Sequence, residues 1–118
     1  MKKMYRKINP QEVWSAWVKY EDKPNEGKYR PVIAMAVNND VTEVLSVPIT
    51  STEPRDEFDI EIFDWEEIPL DNLSTARISK ALEIPIYDFR KRLGKLADDD
   101  WDNITDLYVE YLKSIGEL

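Results

Sequence analysis

The chain contains no cysteine and no histidine. Without cysteine there is no disulfide and no thiolate metal site, which fits a reducing compartment. Without histidine the commonest general base and the commonest metal ligand are both missing. A metal site would need oxygen ligands alone, and no spaced Asp/Asn/Gly loop of the calcium type occurs. No motif for a metal or a cofactor is legible in the sequence. Glycine is scarce, at three residues, and there is no glycine-rich phosphate loop, nucleophile elbow or zinc motif. No apolar run approaches the ~20 residues that span a bilayer. The basic start, "MKKMYRKINPQEVW", lacks a following apolar core and is not a secretory signal, so a cytoplasmic location is the default expectation. Internal repeats and low-complexity linkers are also missing.

What is present suits one soluble domain over residues 1–118, with 1–10 as a basic N-terminal extension. A chain of 118 residues, 42% hydrophobic and 34% charged, buries enough surface to fold without staples. The net charge is −8, and it is unevenly spread. Residues 53–72, "EPRDEFDIEIFDWEEIPLDN", hold nine of the 24 acids and one of the 16 basic residues, so this stretch accounts for the whole imbalance. Basic residues cluster at Lys2, Lys3, Arg6 and Lys7, and again at Arg90, Lys91, Arg92 and Lys95. Each cluster reads as a solvated face or as a docking patch.

The patterning is mostly that of short strands. "VWSAWVKY" (13–20), "YRPVIAMAV" (29–37) and "VTEVLSVPIT" (41–50) are rich in β-branched and aromatic residues. "EDKPNEGK" between the first two is a polar loop, and "NND" (38–40) is a turn that tolerates left-handed backbone. Pro31 suits a strand start or an edge, because it lacks a ladder donor. "FDIEIF" alternates Phe58, Ile60 and Ile62 against Asp59 and Glu61, which predicts a strand whose acidic face is wet. "LSTARISKALEI" (73–84) is a mixed strand candidate. "YDFRKRLGKL" (87–96) reads as a short strand or a helical turn, broken at Gly94. Trp101, Ile104, Leu107, Tyr108, Tyr111, Leu112 and Ile115 line one face of a C-terminal helix over 98–115, with Gly116 as its stop. Asp98, Asp99 and Asp100 suit the positive end of that helix, where one of them can cap free amides. The fold expected is mainly β: five or six short antiparallel strands in a small barrel or strongly bent sheet, closed by the terminal helix.

Three constellations could carry chemistry. Arg30, at a loop–strand junction, can offer a fork of donors to a phosphate, or pair with one of many carboxylates. The hydroxyls of "PITST" (48–52) can bond loop backbone or an anionic oxygen. The aromatic residues Trp14, Trp17, Tyr20, Tyr29 and Trp65 can pack or stack bases. Trp14 and Trp17 have opposite parity on one strand, so one of them points outward.

Taken together, "EVWSAWVKYEDKPNEGKYRPVIAM", "VPITST", "LSTARISKALEI" and "RLGKLADDDWDNI" resemble, in order, the MazF/PemK-like toxin family over roughly residues 11–112. The resemblance implies an SH3-like barrel, a homodimer and a toxin of a type II toxin–antitoxin system with a cognate antitoxin. It also implies a metal-independent endoribonuclease for single-stranded RNA. There the ribose 2′-hydroxyl attacks the adjacent phosphate, leaving a 2′,3′-cyclic phosphate and a free 5′-hydroxyl. On this resemblance Arg30 binds the scissile phosphate, Thr50 donates to it with Ser51 beside it, and Arg77 contacts backbone phosphate or holds a structural pair. Lys28 steers RNA, Trp17 is an outward stacking candidate, and Glu26 is the general-base candidate by position. The chain departs from the family in lacking its opening glycine, with Gln11-Glu12 standing before Val13, and in its acidic total charge. Two further readings stay open. One is a non-catalytic relative that inhibits a protein target through the acidic stretch 53–72. The other is a structural or regulatory module that dimerises through exposed strands.

Overall fold

The architecture was read from a computed structural model that describes residues 7–64 and 73–118. Among the described residues, seven strands precede one helix: β1 (Glu12–Lys19), β2 (Gly27–Val37), β3 (Glu43–Thr50), β4 (Asp59–Glu61), β5 (Thr75–Arg77), β6 (Leu82–Pro85), β7 (Phe89–Lys95) and α1 (Asp98–Ser114). Short 3₁₀ turns at Ile78–Lys80 and Ile86–Asp88 separate β5, β6 and β7. All pairings are antiparallel, in the order β4-β5-β3-β2-β1-β7, with β6 also on β3. The mainly-β architecture with a terminal helix stands. The strand count rises because 73–84 divides into two strands around a 3₁₀ turn, and because 87–96 resolves as a strand that Gly94 does not break. Among the described residues β4 and β7 are not paired to each other, so no ladder closes the sheet into a cylinder.

The sheet has two apolar faces, and strand parity decides which residue joins which. Val13, Ile33, Val47 and Ile49 face α1 and pack with Ile62, Ala76, Ile78, Leu96 and Ile104. Trp14, Ala16, Val18, Val32, Ala34 and Val44 face the other way and pack with Ile8, Ile84 and Phe89. Trp101, Leu107, Tyr108 and Tyr111 of α1 lie against the first cluster, while Ile115 at the helix end is half exposed. The helix then stops at Gly116, whose φ of +77° a side chain would disfavour. Gly27 is required for another reason. A Cβ there would stand 2.5 Å from the Val18 carbonyl oxygen, so β1 and β2 close only on a glycine.

Four local readings change. The turn after β2 places its left-handed residue at Val41 (φ 55°), not within 38–40. Asn38 holds it by accepting from the Thr42 and Glu43 amides at 2.8 and 3.1 Å. Pro31 lies inside β2, not at its start, opposite Ser15 and one residue past the end of the β2–β3 ladder, so it has a strand on one side only. Asp59 is buried, not wet. No aspartate caps α1: the N-cap is Ala97. Asp100 is instead buried, and it accepts from the Phe63 and Asp64 amides at 3.1 and 2.9 Å, tying the end of the β4 segment to the helix. Residues 65–72 of the acidic stretch, Trp65 among them, and the basic residues Lys2, Lys3 and Arg6 lie outside the described residues.

A candidate active-site groove

The β2–β3 ladder runs to Val32↔Pro48 and stops. Beyond it, Ile49 and Thr50 pair with Ala76 and Thr75 of β5 on the other edge of β3. Two residues without amide donors, Pro31 and Pro48, stand at this divergence, where neither could extend a ladder from its nitrogen. Carrying the register two residues further sets Arg30 across from Thr50, and both line one groove of about 520 Å³. That size fits a small ligand or one nucleotide. Its other walls come from the loop after β1 (Tyr20, Glu21, Asp22), from Arg55, from Arg77 of β5, and from the 3₁₀ turn with Ser79 and Lys80.

The groove is basic on an acidic molecule. Lys19, Arg30, Arg55, Arg77 and Lys80 line it against two carboxylates, Glu21 and Asp22. Those cations differ in how they are held. Arg77 is committed: its Nε donates to Asp59 Oδ1 at 3.1 Å, and its Nη2 lies 3.5 Å from Asp56 Oδ2. The Asp59 side chain is wholly buried, and its second oxygen accepts the Arg55 amide at 2.9 Å. Lys80 pairs with Glu21 at 2.9 Å. Arg30 has no ion-pair partner among the described residues, and its Nε is buried with no acceptor. An unpaired buried donor costs about 1–3 kcal/mol, so an anionic oxygen arriving here gains that back. The carboxylate pairing open to Arg30 in the sequence is therefore made by Arg77 instead.

The remaining candidates are distributed as follows. Thr50 Oγ1 lies 3.3 Å from Thr52 Oγ1 at the groove edge. Lys28 is exposed on the same face of β2 as Arg30, two residues further out, and is not among the lining residues. Ser51 is exposed just past the end of β3 and also lies outside the lining. Glu26 sits in the β1–β2 loop and is not among the lining residues, its carbonyl accepting the amide of the lining residue Tyr20 at 2.9 Å. Trp17 is on the opposite sheet face, edge-on to Tyr29 at 5.2 Å, with the Arg90 guanidinium 4.9 Å from the Tyr29 ring centre. Arg55, Lys80, Glu21 and Asp22 escaped the sequence reading. Arg55 carried a signal, as the lone cation of the acidic stretch. The others reach the groove only through the bend of the sheet.

A model of the PemK-like, MazF-like toxins of type II toxin–antitoxin systems matches residues 9–107. The chain belongs to this family. No curated protein sequence matches it significantly. Solved structures share the fold at low identity. The Mycobacterium tuberculosis toxin MazF-mt6 has 18% identity and a TM-score of 0.67, over 86% of this chain and 96% of that one. A mycobacterial endoribonuclease in complex with its cognate antitoxin has 14% identity and a TM-score of 0.72, over 91% and 96%. A MazE–MazF complex from Deinococcus radiodurans has 11% identity and a TM-score of 0.66, over 89% and 94%. The match of this MazF/PemK-like chain spans every strand and most of α1, so both walls of the groove fall within it.

Proposed function

We propose that this chain is the toxin of a type II toxin–antitoxin pair and a metal-independent endoribonuclease for single-stranded RNA. The observation that carries the reading is Arg30: its buried Nε has no acceptor, and it lines one cation-rich groove together with Thr50. In the reaction the ribose 2′-oxygen attacks the adjacent phosphorus, a P–O bond forms, and the P–O5′ bond breaks. The products are a 2′,3′-cyclic phosphate and a free 5′-hydroxyl. Negative charge grows on the non-bridging oxygens, and Arg30 with Thr50 donates to them. The 2′-hydroxyl proton needs an acceptor, and the 5′-oxygen needs a proton in return. Glu21 and Asp22 are the carboxylates that reach the groove, and Asp22 has no ion-pair partner among the described residues. Asp22 therefore replaces Glu26 as the base we assign. Charge stabilisation by arginine suits a chain without histidine or cysteine.

By the same proposal the protein works in the cytoplasm as a homodimer and is neutralised by a cognate antitoxin. The test is cleavage of a long single-stranded RNA in EDTA. Wild-type protein is expected to cut it and leave cyclic-phosphate ends. Arg30→Ala is expected to lose roughly a hundredfold or more in rate, the effect of removing one transition-state donor, with its circular dichroism unchanged. Wild-type protein that leaves RNA intact in EDTA and in magnesium overturns the reading and favours a non-catalytic inhibitor.

A further inference from the structure

We propose that Lys80 is a second phosphate-binding residue of this groove, held by Glu21 at rest and transferred to the RNA backbone when a strand binds. The inference rests on the ribonuclease reading and adds a subsite to it. Lys80 Nζ lies 2.9 Å from Glu21 Oε1 although the two residues are 59 positions apart. They come from facing walls, Glu21 from the loop after β1 and Lys80 from the 3₁₀ turn after β5, and both line the groove that holds Arg30 and Thr50. The pair bridges the walls in solvent, with side chains 40% and 78% exposed. Exposed pairs of this kind are weak, so a phosphodiester can take the place of the carboxylate. Arg77 cannot make the same exchange, because its main partner, Asp59, is wholly buried.

The exchange has a direction. Once Lys80 turns to phosphate, Glu21 is left beside a polyanion and opposes it. Glu21 therefore weakens binding and Lys80 strengthens it.

The test is fluorescence anisotropy with a labelled 2′-O-methyl RNA oligonucleotide, which lacks the attacking hydroxyl and stays intact, over a range of salt concentrations. Lys80→Ala is expected to bind roughly fivefold more weakly at low salt, with a log–log salt slope shallower by about 0.7, the loss of one phosphate contact on a single strand. Glu21→Gln is expected to bind a few-fold more tightly. Lys113→Ala, remote from the groove, is expected to match wild type. An unchanged slope in Lys80→Ala, or no tightening in Glu21→Gln, overturns the inference while leaving RNA cleavage by wild type, and so the ribonuclease reading, intact. Wild-type protein that neither binds the oligonucleotide nor cuts RNA overturns both.

Discussion

Three arginines line one groove, and the partners of two of them separate their roles. Arg77 is anchored by a buried carboxylate, whereas the Nε of Arg30 has nothing to bond. The shape of the Arg30 fork should therefore matter as well as its charge. Arg30→Lys keeps the charge but loses the planar donor pair. We expect it to recover little of the rate lost in Arg30→Ala, measured as kcat on a defined oligonucleotide. Recovery to near wild type would show that only a point charge is needed there. Thr50 offers a parallel case. Thr50→Ser keeps the hydroxyl and should keep most activity, while Thr50→Val should lose about a hundredfold, as expected for one missing donor to a transition-state oxygen. Glu26→Gln should cut RNA at close to the wild-type rate, and Asp22→Asn should not, because only Asp22 lines the groove.

At the scale of elements, β1 to β3 were legible because each is rich in the β-branched, aromatic and other apolar residues that the two core clusters bury. The spacing of Trp101, Ile104, Leu107 and Tyr108 marked α1 for the same reason. The convergence of Arg30 with Thr50 was legible only as a resemblance. Register follows from which edges pair, and the divergence at Pro31 and Pro48 has no periodicity to read. The acidic residues were the least legible. Asp59 and Asp100 resemble their solvated neighbours in composition, yet each is buried against a long-range partner: Arg77 at 18 residues for Asp59, and Phe63 at 37 for Asp100. The aspartate triplet gives a direct test. Asp100→Ala would strand two backbone amides at the junction of the β4 segment and α1. At about 1–3 kcal/mol for each unsatisfied donor, we expect a loss of about 2–6 kcal/mol in urea unfolding. Asp99→Ala, exposed in the same helical turn, should cost less than about 1 kcal/mol, its share of the helix dipole. Equal losses at the two positions would mean that the triplet acts through the helix end alone.

At the scale of the whole molecule, a net charge of −8 coexists with a groove lined by five cations and two anions. Screening reconciles them, since salt at physiological strength limits the reach of distant carboxylates to about 8 Å. The groove's cations are thus felt by a bound strand more than the body's charge is. Acid stability depends on a different place, the junction where the start of the chain meets the edge strand β7. There Glu12 Oε1 accepts the Asn9 amide at 2.9 Å and the Trp14 indole N–H at 3.0 Å, while Oε2 accepts Arg92 Nε at 2.8 Å. Burial pushes the Glu12 carboxyl up, but the hydrogen bonds from Arg92, Asn9 and Trp14 together outweigh it and hold the group below its ordinary value of 4.5. A carboxyl whose folded value is depressed binds more protons unfolded than folded between those two values. Its stabilisation is therefore complete above about 4.5 and drains away as pH falls through the lower, folded value. Glu12→Gln has no such proton to gain. The difference in urea unfolding free energy between wild type and Glu12→Gln should be constant from neutral pH down to about 4.5 and then shrink as the pH drops further. At pH 7 that difference should be on the order of 1 kcal/mol, because Arg92 is half exposed and solvent weakens its bond. Parallel profiles down to pH 2 would remove Glu12 as the acid-sensitive link.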